Sequence, residues 1–176
     1  MNKIAVIVAV ILFLLMFMTV GMNAQDAAAK EAITRAALDY MDGAHSGDAA
    51  RMERAVHPEL HKVTVTTIPQ TGTSFLRTAG SSRLIQLIAA NSAPLAEDKR
   101  NIDLEILDVL EGLAVVRVTS AQFWDYLQLA DIDGQWKIIN VLWAPFPKPG
   151  KEKNNSGEAD AIKARALDYI EGSFSG

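Results

Sequence analysis

Four apolar segments follow one another between residues 102 and 143, and the short turns between them predict an antiparallel sheet. Glu111-Gly112 separates the first two segments, and Asp133-Gly134 separates the last two. Asp-Gly between apolar segments is a strong β-hairpin signal, because these residues accept the positive φ angles that a tight hairpin turn requires. The pattern therefore predicts four strands, over residues 102–110, 113–121, 123–132 and 135–143.

Helical patterning dominates the chain before these strands. Asp26 can cap a first helix, Asp48 a shorter second one, and Gly80-Ser81 can begin a third. Two short strands, over residues 61–66 and 74–78, fit between the second and third helices. Helices first and an antiparallel meander last predict an α+β domain with the helices laid on one face of the sheet.

The first 24 residues have the three parts of a secretory signal peptide. Lys3 is followed by an uncharged apolar run from Ile4 to Val20, and small or polar residues come next. Cleavage is expected after Gly21 or Ala24, which predicts export to the bacterial periplasm or out of the cell. The alternative is an uncleaved membrane anchor, because seventeen apolar residues are at the lower limit of what spans a bilayer.

Composition excludes several classes of function. The chain has no cysteine, so thiol catalysis, lipid attachment at cysteine and cysteine-ligated zinc are excluded, and stability must come from packing. The formal net charge is −4 and becomes −5 without Lys3, and an acidic domain without a basic stripe is a poor nucleic-acid binder. His45, His57 and His61 lack metal-ligand spacing, because Pro58 breaks any helix that would align the last two. We expect neither a metal nor a cofactor.

The C-terminal segment repeats part of the first predicted helix. Residues 161–176 align with residues 32–47 at a constant offset of 129, and nine of the sixteen positions are identical. Two Ala-rich helices would not share the string Leu-Asp-Tyr-x-x-Gly by composition alone. We interpret 161–176 as the first helix of a truncated second repeat, joined to a domain at 25–147 by a solvated linker at 148–160.

Several motifs together resemble a known family. They are Tyr40-Met-Asp-Gly-Ala-His-Ser-Gly-Asp48, Val56-His-Pro-Glu-Leu60, Asp125-Tyr-Leu-Gln-Leu and Asp133-Gly-Gln-Trp-Lys-Ile-Ile-Asn140. In order and spacing they resemble the putative lumazine-binding branch of the nuclear-transport-factor-2-like (NTF2-like or SnoaL-like) superfamily. That resemblance implies a cone-shaped, cystatin-like fold in which a curved antiparallel sheet and three helices enclose a pocket. It implies function less well, because the superfamily includes isomerases, dehydratases, polyketide cyclases and proteins that only bind.

Strand alternation indicates which polar residues could enter such a pocket. Asp125 lies on a mostly apolar face of its strand, Asn140 shares a face with Trp136, and His61 begins a face that continues with valines. If these faces line one concave surface, they place three polar groups in an apolar cavity, with the hydroxyl of Tyr40 at its mouth. The candidate ligand-binding residues are therefore Tyr40, His61, Asp125, Trp136 and Asn140. His61 at a strand rim, or a strand register shifted by one residue, would remove candidates from this set.

Three functions fit these features. The first is an exported protein that binds a small hydrophobic or aromatic molecule without catalysis. The second is a small-molecule lyase, isomerase or hydrolase in which His61 and Asp125 are the catalytic residues. An isomerase of the ketosteroid type is disfavoured, because Val63-Thr-Val-Thr-Thr67 has no carboxylate where the resemblance places one. The third is a dimerisation or interaction module that uses an apolar outer face formed by Ile139, Val141 and Trp143, which could also join two copies as a homodimer.

Overall fold

The computed structural model describes residues 26–145 and 158–174, which form two separate compact units. The predicted signal peptide at 1–24 and residues 148–157 of the predicted linker lie outside the described residues. Within the part of the chain that is described, no helix is both long and apolar enough to cross a membrane.

Three α-helices belong to the first unit, close to where the sequence predicts them. Helix α1 covers residues 26–46, α2 covers Ala49–Ala55 and α3 covers Ser81–Ala89. Asp48 caps α2 as predicted, because its carboxylate accepts a hydrogen bond from the backbone N–H of Arg51 at 3.0 Å. A short 3₁₀ turn, Glu97–Lys99, lies in the connection that follows α3.

Six strands form one sheet in the order β2-β1-β6-β5-β4-β3, and every pair is antiparallel except β1 with β6. The strands are β1 (Val56–Thr67), β2 (Ser74–Gly80), β3 (Asp103–Leu110), β4 (Leu113–Thr119), β5 (Phe123–Ile132) and β6 (Gln135–Pro145). The predicted α+β class and the predicted meander are confirmed.

The beginning of β1 differs from its prediction. Strand β1 starts directly after α2 at Val56 and contains Pro58, whereas the sequence predicts a start at His61. Its register with β6 shifts between Val56 and His61, so the strand is irregular where Pro58 lies. Proline is tolerated at such an irregularity because it has no N–H to contribute to the ladder.

The core lies between α1, α2 and the inner face of the sheet. Helix α1 contributes an apolar stripe of Ile33, Ala37, Tyr40 and Met41, all of them buried. The sheet contributes mainly branched side chains from its central strands, and these are Val116, Val118, Leu127, Leu129, Ile138 and Val141.

A β-bulge in β6 changes which of its residues face inward. Leu129 pairs with Ile138 and the adjacent Gln128 pairs with Asn140, so Ile139 is an extra residue on β6. Strict alternation predicts Asn140 inward, but after the bulge Val141 is fully buried and Trp143 packs against the core. The prediction that Ile139, Val141 and Trp143 form an outer apolar face is therefore wrong.

The inward face of β1 is also one residue away from its prediction. Thr64 is 3% exposed whereas Val65 is 61% exposed, and His61 is exposed while its neighbour Lys62 is largely buried. Lys62 and Thr64 therefore face the helices, and His61 and Val65 face away from them. Valine and threonine are both β-branched and alternate here, so the sequence pattern fits either face equally well.

The second unit contains helix α4, Glu158–Phe174, in the region where the internal repeat predicts a helix over 161–176. Three of its apolar side chains, Ile162, Leu167 and Ile170, are between 49% and 68% exposed. The residues aligned with Ile162 and Ile170 in α1 are Ile33 and Met41, which are buried. That α4 begins a second domain stays a prediction.

Candidate functional site

A cavity of about 570 Å³ lies between the helices and the inner face of the sheet. This volume is in the range of cavities that hold small molecules. Its walls are mainly apolar, and they include Met41, Met52, Leu84, Ile88, Phe123 and Trp143. Six further lining residues have side chains that carry hydroxyl or charged groups, and these are Tyr40, Lys62, Arg77, Thr78, Arg83 and Asp125.

One carboxylate oxygen of Asp125 organises the polar part of the cavity. Its Oδ1 accepts a hydrogen bond from the Tyr40 hydroxyl at 3.0 Å and is 2.9 Å from the Lys62 ammonium nitrogen. Lys62 also donates a hydrogen bond to the Tyr40 hydroxyl. Asp125 is 1% exposed and the Lys62 side chain is 13% exposed, so this three-residue cluster is a desolvated ion pair with a phenol attached.

The second carboxylate oxygen of Asp125 has no hydrogen-bond partner among the described residues. Oδ2 is buried, and a buried charged oxygen without a donor is costly in a folded protein. Because Asp125 lines the cavity, a donor group on a bound molecule is a suitable partner for Oδ2.

Burial sets the ionisation of the cluster. Desolvation raises the pKa of Tyr40 well above its ordinary value, and the charge and hydrogen bond of Asp125 raise it further. Desolvation also lowers the pKa of Lys62, an effect that Asp125 opposes and that the positive charge of Arg77 reinforces. Tyr40 is therefore a neutral donor at physiological pH.

Two cationic side chains, Lys62 and Arg77, lie over the ring of Trp143. The Lys62 nitrogen lies 4.8 Å from the centre of the Trp143 ring, and the Arg77 guanidinium carbon lies 5.1 Å from it. Such positions are attractive because the face of an indole ring carries negative potential. Phe123 meets Trp143 edge to face with ring centroids 5.6 Å apart, which holds the indole in place.

His45 lies behind Phe123, next to the cavity. Its ring stacks on that of Phe123 at 5.9 Å, and its buried Nε2 has no hydrogen-bond partner among the described residues. Burial lowers the pKa of His45, and the charge of Arg100 adds to this effect, while Asp42 and Asp125 oppose it. Within residues 26–145 and 158–174, no three His, Cys, Asp or Glu side chains are arranged to hold a metal ion.

The cavity contains two of the five predicted site residues, Tyr40 and Asp125, which hydrogen-bond to each other. His61 is exposed on the other face of β1. Trp136 packs against the core outside the cavity lining, and Asn140 bonds to Gln128 at 3.0 Å across the exposed face of the sheet.

Sequence reasoning missed Lys62, Arg77, Arg83 and Trp143. The sequence marks Lys62 only by its position next to His61, because neighbouring residues of a strand point to opposite faces of the sheet. The sequence does not mark the bulge that turns Trp143 inward. Two consecutive isoleucines stand at the bulge, and their identity does not show that one of them is an extra residue.

These features define an α+β pocket protein, and comparisons with known proteins identify its family. A model of the family described as "Putative lumazine-binding" matches residues 28–144. The chain therefore belongs to this family, as its motifs predict. The comparison with curated proteins gave no match.

Solved structures confirm the fold. An NTF2-like protein of unknown function from Shewanella baltica is 16% identical with a TM-score of 0.54, over 69% of this chain and 97% of its own. A similar protein from Silicibacter pomeroyi is 19% identical with a TM-score of 0.51, over 70% and 98% of the two chains. An NTF2-like protein with a cystatin-like fold from Novosphingobium aromaticivorans is 15% identical with a TM-score of 0.52, over 82% and 95%.

Proposed function

We propose that this chain is an exported protein that binds a small hydrophobic or aromatic molecule in its cavity without transforming it. The observation that carries the proposal is the combination of apolar walls with one buried polar cluster, Tyr40, Lys62 and Asp125. Sites for small molecules typically have this composition, in which apolar walls supply affinity and a few polar groups fix orientation. Membership of a family named for binding a small molecule supports it further.

The placement of His61 supports binding rather than catalysis. The enzyme hypothesis requires His61 and Asp125 to meet in one cavity, but His61 is exposed and Asp125 is buried. Asp125 Oδ1 already has two partners, and Lys62 and Tyr40 satisfy each other as well. A general base needs a free lone pair within hydrogen-bond reach of the substrate, and in this cluster Oδ2 is the acceptor that lacks a partner among the described residues.

Export is part of the proposal because of residues 1–24. The apolar run and the small residues after it are typical of a cleaved secretory signal. Expression of the full chain in a bacterium, followed by fractionation and intact-mass measurement, tests this. Export predicts a periplasmic or secreted product beginning at Met22 or Gln25, whereas an anchor predicts a full-length product in the membrane fraction.

Binding is tested with N-phenyl-1-naphthylamine, an uncharged aromatic probe whose fluorescence rises in apolar surroundings. We expect saturable binding to the exported protein, and we expect Leu87→Trp, at the lining of the cavity, to weaken it at least fivefold by taking up space. Leu110→Trp is the matched control, because Leu110 is similarly exposed and lies outside the cavity lining. Equal binding by both variants, or none by the wild type, would show that the proposal is wrong.

A second candidate function, homodimerisation, is favoured by a different patch from the one that the sequence predicts. Val65 is paired with Leu76 across β1 and β2, and Leu142 on β6 lies on the same outer face. These three side chains are 61%, 65% and 52% exposed. An exposed apolar sheet face can pack against the same face of a second copy about a two-fold axis.

The oligomeric state tests this candidate. Sedimentation of the mature protein should give a dimer that Leu76→Glu converts to a monomer, while Leu110→Glu, an equally exposed leucine elsewhere, leaves it dimeric. A wild type that stays monomeric at high concentration would exclude this function.

A further inference from the structure

Two arginines at the cavity have no carboxylate partner among the described residues. The eight arginines of the chain all lie in the described residues, and six of them form ion pairs with Asp or Glu side chains. The other two, Arg77 on β2 and Arg83 on α3, both line the cavity and both are exposed. The arginine charges that have no carboxylate partner among the described residues are therefore concentrated at the cavity rather than spread over the surface.

The interior of the cavity does not balance these two charges. Among the residues that the structure describes, Asp125 is the only acidic one that lines it, and that carboxylate is paired with the Lys62 ammonium at 2.9 Å. The lining as a whole thus has two positive charges in excess, on a chain whose formal net charge is −4. A local charge opposite in sign to that of the whole chain attracts anions to this position.

Arg77 is held in a defined position. Its guanidinium carbon lies 5.1 Å from the centre of the Trp143 ring, whose own position is fixed by Phe123. A guanidinium stacked on an aromatic ring keeps its N–H donors free at the ring edge, where they can bind a carboxylate or a similar anion in bidentate fashion. An aromatic ligand beside Trp143 would therefore bring its substituents close to these donors.

We infer that the ligand of this cavity is an acid, that is, a molecule with an apolar or aromatic body and one anionic group that pairs with Arg77 and Arg83. This inference rests on the proposed binding function and specifies the ligand class. The apolar body occupies the space between the helices and Trp143. A hydroxyl or N–H group at its inner end would donate to Asp125 Oδ2, which has no partner among the described residues.

Two probes that differ by one group test the inference. 1-Anilinonaphthalene-8-sulfonate has the same aromatic body as N-phenyl-1-naphthylamine and adds a sulfonate. We expect the exported wild-type protein to bind the sulfonate about tenfold more tightly than the uncharged probe, and we expect only the sulfonate to bind more weakly as salt is raised.

Charge-removing variants locate the effect. Arg77→Gln and Arg83→Gln should each weaken binding of the sulfonate by about fivefold and change binding of the uncharged probe less than twofold. Arg35→Gln is the matched control, because it removes the same charge from an exposed site away from the cavity and should change neither affinity.

The possible failures are distinguishable. If the uncharged probe binds as well as the sulfonate, or if Arg77→Gln and Arg83→Gln leave both affinities unchanged, the acid-binding inference is overturned and the proposed pocket function stands. If Leu87→Trp weakens the binding of neither probe, the proposed function fails and this inference fails with it.

Discussion

Lys62 and Asp125 form a buried ion pair, 2.9 Å long, between two strands that are not neighbours in the sheet. Lys62 is on β1 and Asp125 is on β5, and β6 runs between them. The lysine side chain crosses over β6 and passes 4.8 Å from the ring of Trp143, the residue that pairs with Asp125 in the β5–β6 ladder. The polar cluster therefore links β1, β5 and, through Tyr40, helix α1, across the strand β6 that separates β1 from β5.

Removing one partner of this ion pair is expected to destabilise the protein more than replacing both partners. Asp125→Leu leaves a largely buried ammonium without its carboxylate, and we expect it to lower the free energy of unfolding by about 3 kcal/mol. The double variant Lys62→Met/Asp125→Leu replaces both charges by apolar groups and should return to within about 1 kcal/mol of the wild type. Urea unfolding measures both values, and a double variant no more stable than Asp125→Leu would contradict this account.

Acidification is expected to destabilise the protein through His45. Burial lowers the pKa of His45 from its ordinary value of 6.5, so below that pH the unfolded chain binds a proton that the folded protein does not. Stability therefore falls as the pH drops below 6.5, with a slope of up to about 1.4 kcal/mol per pH unit from this residue.

The variant His45→Phe isolates this contribution. It removes the titrating ring and the unpartnered Nε2, and phenylalanine is the residue at the aligned position of the internal repeat. Unfolding midpoints between pH 7.5 and 5 should fall less steeply for His45→Phe than for the wild type. Parallel curves for the two proteins would exclude His45 as the cause.

Trp143, and not Trp136, is expected to contribute to ligand binding. Trp143 lines the cavity, while Trp136 packs on the core beyond the bulge. Trp143→Leu should weaken binding of N-phenyl-1-naphthylamine about tenfold through lost aromatic contact, and Trp136→Leu should change it less than twofold. Fluorescence titration measures both, and the reverse order would mean that strict alternation describes β6 correctly.

Gly43 and Gly172 provide a matched pair, because they are equivalent in the internal repeat. A Cβ at Gly43 would lie 3.0 Å from the backbone nitrogen of Met52 and 3.1 Å from the backbone oxygen of Asp48, so Gly43→Ala forces α1 and α2 apart. We expect it to lower the free energy of unfolding of the first unit by about 2 kcal/mol. A Cβ at Gly172 would have no other heavy atom within 4 Å. Gly172→Ala should therefore leave the unfolding of the first unit unchanged and slightly increase the helicity of α4. Thermal unfolding followed by circular dichroism compares the two.

The elements of the fold were predictable because each has a strong local signal. The bounds predicted for β5 agree with those observed, since Asp133-Gly134 ends it and its alternation is regular. That alternation also places Asp125 on the inner face, where the structure has it. Tyr40 follows from helical spacing on the apolar stripe of α1.

The cavity lining was only partly predictable because it depends on strand parity at two irregular places. In β1 the Val-Thr alternation is compatible with both faces, and the choice is made by tertiary contacts of Thr64 and Lys62. In β6 the extra residue Ile139 is accommodated by the pairing with β5, which a single strand's sequence does not contain. Arg77 and Arg83 enter the site through the placement of β2 and α3, which is also non-local.

The bulge at Ile139 divides β6 into two halves whose alternation is out of phase. Ile138 lies before the bulge and packs in the core, and Trp143 lies after it and lines the cavity. Substitutions that alter the ligand chamber therefore do not have to satisfy the same alternation as those that maintain the hydrophobic interior. Trp143 at the cavity can therefore change without altering the inward position of Ile138 in the core.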